Sequence, residues 1–312
     1  MKLLTPALIA SGLGLLAFNG LNAQRSPLSR AQTQAVNMGA ALNAAGRDSE
    51  PTFGTDRRTM YFNCADRRPD GGNDICTSRL VDGQWSAAEI VPAPISTEYF
   101  EVEPLLSPDG NQLYIMSDRP GGMGSMDIWV SDKVDGEWTE PRNLGAPINS
   151  PAADHCLYFT GPDWNVRKGE PPIPALRKVL TGSVLSCRPA WLLPPPYRTV
   201  DGVWQEAVNL GPQINSAGSE HHSLPSADGR SLYITATRDE GYGEEDIYVT
   251  TRDGRGVWGP LVNLGPLVNT EENDRCPAFS PDFQIFYFDS ERAGGYGDKD
   301  LWWVYAENLR SG

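Results

Sequence analysis

An internal repeat constrains the fold of this 312-residue chain more than any other feature. Four similar phrases each end in a tryptophan: Val81-Asp82-Gly83-Gln84-Trp85, Val134-Asp135-Gly136-Glu137-Trp138, Val200-Asp201-Gly202-Val203-Trp204 and Gly256-Val257-Trp258. Successive tryptophans are 53, 66 and 54 residues apart. A second phrase, Asn-Leu-Gly, follows three of them at Asn143, Asn209 and Asn263. Self-similarity at this period is typical of propellers and solenoids.

Each repeat unit contains about four short β-branched or aromatic runs separated by turn residues, which predicts a four-stranded antiparallel blade. The 32 glycines and 26 prolines fit the many turns that such blades need. Residues 35–43 align with residues 207–215 without a gap, and the last unit ends at Val304 where an outer strand is missing. We therefore predict an all-β fold: a five-bladed β-propeller of four-stranded antiparallel blades, closed by an N-terminal strand.

The N-terminus predicts export. Lys2 precedes an apolar run from Leu3 to Phe18, and a small residue stands at Ala23, so residues 1–23 are interpreted as a signal peptide. Residues 24–34 would be a linker and residues 35–308 a single propeller domain. We expect a periplasmic or secreted monomer without a membrane span in the mature chain. The net charge of −14 argues against nucleic acid as a partner.

One stretch departs from the repeat. Between residues 163 and 198 the turn phrases of the other units are missing, and prolines and basic residues replace them. Two interpretations stay open for this irregular insertion in the third blade. It is either a lid over the ligand-binding face, since long insertions are often functional, or a non-native stretch that leaves the blade poorly formed.

The repeated phrases resemble a known family. Ser107-Pro108-Asp109-Gly110, Ser117-Asp118-Arg119-Pro120-Gly121-Gly122 and Asp127-Ile128-Trp129 look like the WD-like propeller repeats of the TolB class. That class includes periplasmic binding and scaffold proteins and propeller domains attached to hydrolases. The resemblance thus implies the fold and the compartment but not the activity.

Alignment of the units on the residue before each inner strand gives a column that is acidic in every unit. Its members are Asp48, Glu101, Asp154, Glu220 and Asp274. Inner strands of propellers line the central channel, so these residues, together with Arg275, are candidates for ligand binding at one mouth of it. The alternative is that each carboxylate caps backbone N–H groups at a junction between blades.

Two residues further on, the column changes its chemistry from unit to unit: Glu50, Glu103, Cys156, His222 and Cys276. The chain has three histidines, and all of them lie here, because His155 and His221 occupy the column in between. Imidazole, thiolate and carboxylate groups suit a transition metal, and histidine is also the usual acid or base near neutral pH. We predict catalytic roles for His155, His221, His222, Glu50 and Glu103, and a divalent metal on His155, His221, His222, Cys156 and Cys276.

Two functions remain open at this stage. The first is an exported binding or scaffold propeller that recognises a protein partner or a small-molecule or saccharide ligand at the channel mouth. The second is a secreted hydrolase, lyase or isomerase, with or without a metal, that uses the His and acidic residues of the same mouth. Separately, Cys64 and Cys76 flank the first hairpin and are candidates for a disulfide.

Overall fold

The computed structural model describes residues 32–69, 71–107, 109–146, 148–155, 210–216, 218–226 and 229–310. Between residues 156 and 209 it describes only four short strands. The signal peptide predicted for residues 1–23 and most of the insertion predicted for residues 163–198 lie outside the described residues.

The described strands form a β-propeller of four blades, each an antiparallel sheet, which we name A to D. The short strand β1 (Val36–Asn37) precedes them in the chain. Blade A consists of β2 (Asp48–Phe53), β3 (Thr59–Ala65), β4 (Asn73–Val81), β5 (Gln84–Trp85) and β6 (Glu89–Ile90). Blade B consists of β7 (Glu101–Leu106), β8 (Gln112–Ser117), β9 (Asp127–Val134), β10 (Glu137–Trp138) and β11 (Arg142–Asn143).

Strands β12 to β15 belong to the third repeat unit: β12 (Leu157–Phe159), β13 (Leu176–Lys178), β14 (Leu180–Thr181) and β15 (Pro189–Trp191). Blade C consists of β16 (Glu220–Pro225), β17 (Ser231–Ala236), β18 (Asp246–Thr251) and β19 (Val262–Asn263). Blade D consists of β20 (Asp274–Phe279), β21 (Ile285–Ser290) and β22 (Asp300–Tyr305), with β1 as its outer strand.

The prediction of five blades is wrong, because the described strands form four blades and those of the third repeat unit do not add a fifth. Among the residues that the structure describes in this unit, β12 pairs with β13 and β14 with β15, as two separate two-stranded ladders. This unit has lost the turn phrases that set strand lengths in the others, and its prolines cannot donate to a ladder. The unit was counted as a blade because the phrases that flank it, Ile148-Asn149 and Trp204, are intact although its middle departs from the repeat.

The N-terminal strand completes blade D. Val36 pairs with Trp303 and Asn37 with Trp302, so β1 covers β22, as the alignment of residues 35–43 predicts. Buried Asn43 secures the following turn, because its side chain accepts a hydrogen bond from Leu301 N and donates one to Leu301 O. Asn149 and Asn269 make the same pair of bonds in other blades, which explains the repeated Ile-Asn or Val-Asn phrase.

Aromatic side chains fill the seams between neighbouring blades. Trp138 of blade B packs edge-on against Tyr61 of blade A, with ring centroids 6.2 Å apart. Phe53 of blade A packs against Tyr287 of blade D at 4.9 Å. Such contacts bury large apolar areas between sheets and hold the inner strands in a fixed arrangement around the channel.

Two local features complete the fold. Cys64 and Cys76 form a disulfide between the paired strands β3 and β4. The described residues contain no α-helix, only a 3-10 turn at Ala306–Arg310, and no helix among them is long and apolar enough to cross a membrane.

Candidate functional site

The acidic residues that begin the inner strands are buried and paired within the fold. In each blade an arginine from the hairpin after the second strand contacts the carboxylate: Arg67 with Asp48, Arg119 with Glu101, Arg238 with Glu220, and Arg292 with Asp274. The same guanidinium groups donate to loop carbonyls of Leu42, Ile95, Ile214 and Val268. We call this unit the arginine clamp and its four acids the clamp carboxylates.

The clamp carboxylates have a second role: each one caps the loop before its inner strand by accepting a hydrogen bond from a backbone N–H. Ala44 N donates to Asp48, Thr97 N to Glu101, Ser216 N to Glu220 and Thr270 N to Asp274. Asp154, the fifth acid of the column, accepts in the same way from Ser150 N at 2.6 Å. These five residues were candidates for ligand binding. Their contacts belong to the fold, so we give them no part in the site proposed below.

Two residues after each clamp carboxylate, the inner strand has a β-bulge. The pairing register with the second strand shifts between Ser49 and Thr52, and at the equivalent places in the other blades. The residue at the bulge has a left-handed backbone in all four blades, with φ of 59° at Glu50, 52° at Glu103, 44° at His222 and 54° at Cys276. We call these four the bulge residues. A bulge redirects a side chain, and here it turns two carboxylates, an imidazole and a thiol towards one place.

The bulge residues of three blades meet around the His222 imidazole. His222 Nε2 lies 3.9 Å from Glu50 Oε1 and 3.8 Å from Glu103 Oε1. Glu50 Oε2 accepts a hydrogen bond from Glu103 N at 2.8 Å, and His155 Nδ1 lies 3.3 Å from Glu103 Oε1. The exposed fractions of the Glu103, His222, Glu50 and His155 side chains are 13, 15, 18 and 26%, so each of the four keeps a surface in contact with solvent.

His221 points the other way and orients His222. His221 Nε2 lies 2.6 Å from Glu245 Oε1, and the two histidines face each other with their Nδ1 atoms 2.5 Å apart. Arg275 pairs with the same Glu245 carboxylate and also with Glu291. Arg275 therefore supports His221 and Glu245 and lies outside the group around His222.

The protonation states of His221 and Glu245 follow from their burial and from the charges around them. Burial and the adjacent His222 imidazole lower the pKa of His221 to about 4, so His221 is neutral at pH 7. Burial opposes ionisation of Glu245, but the hydrogen bond from His221 prevails and lowers the pKa of Glu245 to about 2. His221 Nε2–H thus donates to the Glu245 carboxylate, and the Nδ1 of His221 faces the Nδ1 of His222. The other ring nitrogen of His222, Nε2, is the one that faces Glu50 and Glu103.

The two glutamates at the centre of the site are driven apart in pKa. Burial and the adjacent Glu103 carboxylate raise the pKa of Glu50 to about 7. Burial also penalises charge on Glu103, but the imidazoles of His155 and His222 outweigh it and hold the pKa of Glu103 well below its usual range. The pKa of His155 is raised, because its hydrogen bond to Glu103 outweighs its own burial.

The structure brings together only part of the metal-binding set expected from the sequence. Glu50, His222 and Cys276 offer ligand atoms that all lie within 4.8 Å of one another. His155 approaches Glu103 and His221 approaches Glu245 instead, and Cys156 lies outside the described residues. Glu50 enters this group although the sequence assigned it only an acid/base role.

Three charged residues beside the site were missed from the sequence: Glu245, Asp289 and Lys299. None lies on an inner strand, so the alignment of inner strands excluded them. A signal for Asp289 does exist, since it is the one carboxylate in the otherwise apolar run of β21. Glu245 and Lys299 each precede the aspartate that begins the third strand, at Asp246 and Asp300, where blade B has Met126.

Comparisons with known proteins add the fold and no more. No protein-family model matches the chain, and no curated protein matches it. Similar solved structures include a provisionally assigned TolB from Agrobacterium tumefaciens, with 14% identity, 82% of this chain and 80% of that chain covered, and a TM-score of 0.41. An endo-arabinase from Bacteroides thetaiotaomicron is 12% identical over 88% of this chain and 97% of its own, with a TM-score of 0.45. The catalytic domain of a GH62 α-L-arabinofuranosidase from Coprinopsis cinerea is 11% identical over 87% and 94%, with a TM-score of 0.42. At such identities and scores these similarities carry no functional argument.

Proposed function

We propose that the protein is an exported β-propeller that binds a small polar ligand at the mouth of its channel. The observation that carries the proposal is the convergence of Glu50, Glu103, His155 and His222, which come from separate parts of the chain and remain accessible to solvent. The clamp carboxylates show that this repeat buries and pairs the acids that serve the fold. Accessible acids and imidazoles that differ between blades therefore fit a ligand better than a structural role.

The chemistry of the group favours a neutral, hydroxyl-rich ligand such as a saccharide. Carboxylates accept hydrogen bonds, imidazoles donate and accept them, and His155 already lies 3.3 Å from the Glu103 carboxylate. Such a surface can accept a hydrogen bond from a hydroxyl hydrogen and donate one to a hydroxyl oxygen. The four side chains are two acids and two imidazoles, which do not form the strongly charged surface that a highly charged ligand requires.

Two features support export. Residues 1–23 have the basic start, apolar core and small-residue end of a signal peptide. The disulfide between Cys64 and Cys76 is a bond that persists in oxidising compartments. Expression of the full chain in a bacterial host tests this: the protein should appear in the periplasm or medium, shortened at its N-terminus and with Cys64 and Cys76 inaccessible to a maleimide until reduced.

Ligand binding is tested with a defined panel of neutral mono- and disaccharides. The thermal unfolding of the protein is followed in EDTA with each sugar, and any sugar that raises the unfolding temperature is titrated by calorimetry. We expect at least one to bind, and the affinity to fall about 10-fold or more in Glu103→Gln, because each lost charged hydrogen bond is worth roughly 1.5–3 kcal/mol.

The matched control is Glu137→Gln, an exposed glutamate on the outer strand β10. This variant should bind the sugar as the unchanged protein does. A panel without a single binder, or a sugar that binds Glu103→Gln and Glu137→Gln equally well, contradicts the proposal.

A second candidate function is acid/base catalysis on the same ligand. The specific observation is the relay from Glu245 through His221 to His222, which fixes the His222 imidazole with Nε2 towards the mouth. A base oriented by a second group that is itself held by a carboxylate is the usual arrangement for proton transfer. Hydrolysis of nitrophenyl glycosides is the test: His222→Gln should abolish turnover and His221→Phe should reduce kcat with little change in KM. A lack of turnover of every glycoside in the set argues for the binding function.

A further inference from the structure

Glu50, His222 and Cys276 come from the inner strands of blades A, C and D and lie at one point of the channel. Their three ligand atoms are within 4.8 Å of one another, although the residues are more than 50 positions apart in the chain. All three are bulge residues, so the same backbone device aims each of them there. The free thiol of Cys276 is buried and makes no disulfide.

We propose that these three side chains form a binding site for a divalent transition metal ion, with zinc as the best match. Zinc accepts thiolate, imidazole and carboxylate together, whereas calcium and magnesium prefer oxygen ligands alone. In a tetrahedral zinc site with bonds of about 2.0–2.3 Å, ligand atoms lie roughly 3.5 Å apart. Side-chain rotations that close the group by about 1 Å would therefore complete three corners. The fourth corner would stay open to water or to a ligand at the mouth.

The surroundings of His222 match those of a metal ligand. Metal-bound histidines usually donate their second N–H to a partner that fixes the ring. His222 Nδ1 faces His221 at 2.5 Å, and His221 in turn is held by Glu245 at 2.6 Å. This leaves Nε2 of His222 on the side of Glu50, 3.9 Å from its Oε1.

Asp289 gives an independent indication of a cation. Its side chain is fully buried, and neither oxygen has a hydrogen-bond partner among the described residues. Lys299 lies 3.4 Å from Oδ1, and the negative charge of Asp289 acts on both Cys276 and Glu50. A divalent ion on Glu50, His222 and Cys276 would place a second positive charge, besides that of Lys299, near this buried carboxylate.

The site shares Glu50 and His222 with the ligand site proposed above, yet it does not depend on saccharide binding. The two are separable by experiment, because sugars are titrated in EDTA and metals are titrated without sugar. Failure of one measurement leaves the other unaffected.

Cobalt(II) is the spectroscopic probe and zinc the competitor. The full chain carries Cys156→Ser and Cys187→Ser, so that Cys276 is the one thiol outside the disulfide, and no reductant is added. After removal of metal with EDTA and dialysis, we expect one equivalent of Co²⁺ to produce visible bands of a tetrahedral site and a near-ultraviolet thiolate-to-cobalt band. One equivalent of Zn²⁺ should abolish both.

Three ligand variants and one control decide the assignment. Cys276→Ser should lose the thiolate band, and Glu50→Gln and His222→Gln should each weaken Zn²⁺ binding about 100-fold or more, since even residues beyond the ligands cost 10–100-fold. Glu137→Gln, an exposed glutamate on the outer strand β10, should keep the spectrum and the affinity. Each variant is checked for cooperative thermal unfolding. A missing thiolate band in the parent protein, or zinc affinities equal to that of Glu137→Gln in the folded ligand variants, overturns the proposal.

Discussion

Two positions on the same inner strands, only two residues apart, play opposite parts in this molecule. The clamp carboxylates have the same chemistry in every blade, the same arginine partner and the same buried setting. The bulge residues share only their backbone, with φ between 44° and 59°, while their side chains are two glutamates, a histidine and a cysteine. In a repeat protein, then, a repeated side chain marks what every blade needs in order to fold. A repeated backbone with varied side chains marks a place where single blades can acquire a function.

Removal of a clamp arginine tests most directly whether the clamp carboxylates serve the fold. Arg119→Ala leaves the fully buried Glu101 carboxylate without its guanidinium partner. Loss of one partner of a buried ion pair costs about 3–5 kcal/mol, because the remaining charge stays in a poorly solvated place. We expect the free energy of unfolding in urea to fall by that amount.

Arg142→Ala is the matched control. Arg142 pairs with Asp132 at 3.8 Å on the surface, where both side chains are largely exposed. Exposed pairs contribute less than about 1 kcal/mol. Equal stability losses in the two arginine variants would show that the clamp is not a requirement of the fold.

A second test applies the same chemical change to the two positions. Glu101→Gln removes the charge that faces Arg119 and should destabilise the protein by about 1–3 kcal/mol. Glu50→Gln should do the opposite in EDTA. The pKa of Glu50 rises from 4.5 in the unfolded chain to about 7 in the fold, so the ionised form is disfavoured there.

The sign follows from proton binding. Between pH 4.5 and about 7 the folded protein holds a proton on Glu50 that the unfolded chain has released, so stability falls as the pH rises through this window. Glutamine mimics the protonated form and removes that loss. Urea unfolding should therefore find Glu50→Gln about as stable as the parent at pH 4 and about 1–3 kcal/mol more stable at pH 8. A Glu50→Gln variant less stable than the parent at pH 8 would place Glu50 with the clamp carboxylates.

Much of the fold was predictable from the sequence. The alignment of units found both columns, because a repeat displays its shared residues several times in one chain. It also predicted the closure of the last blade by residues 35–43, which depends on a local phrase and a matching edge. It failed on the blade count, since the flanking phrases Ile148-Asn149 and Trp204 are intact while the strands described between them pair as two separate ladders.

The sequence predicted which residues lie near one another at the site, but it did not predict the directions of their side chains. Sequence alone placed the three histidines together but could not tell that His221 turns to Glu245 and His222 to the channel. That separation comes from the bulge, where the register shifts between His221 and Leu224. In the other three blades the sequence has a signal for the bulge, since proline follows the bulge residue at Pro51, Pro104 and Pro277 and a residue without N–H interrupts a ladder; blade C has Ser223 at this place. Glu245 and Asp289 escaped because their proximity arises from strands that only the folded sheet brings alongside.

The smallest test isolates the backbone of the bulge. A left-handed φ costs a residue with a Cβ about 1 kcal/mol relative to glycine, whereas glycine in a regular strand is worse than alanine by roughly 0.5–1 kcal/mol. At Glu103, where φ is 52°, the Glu103→Gly variant should therefore be about 1 kcal/mol more stable than Glu103→Ala. The two variants lose the same carboxylate, so the difference between them reports the backbone alone.

The same pair of substitutions at Glu101 should give the reverse order. Glu101 lies on the same strand with a regular register to Ser117, so Glu101→Ala should be more stable than Glu101→Gly. Chemical denaturation of the four variants measures both differences. If glycine lowers stability relative to alanine at both positions, the bulge is not a strained conformation, and the varied chemistry of the four bulge residues carries no backbone cost. If the order inverts as expected, each blade maintains a strained residue at the channel while burying an unstrained acid two residues before it. Since the arginine clamp already stabilises the fold, backbone strain repeated around the channel would then indicate a functional role for the bulge residues.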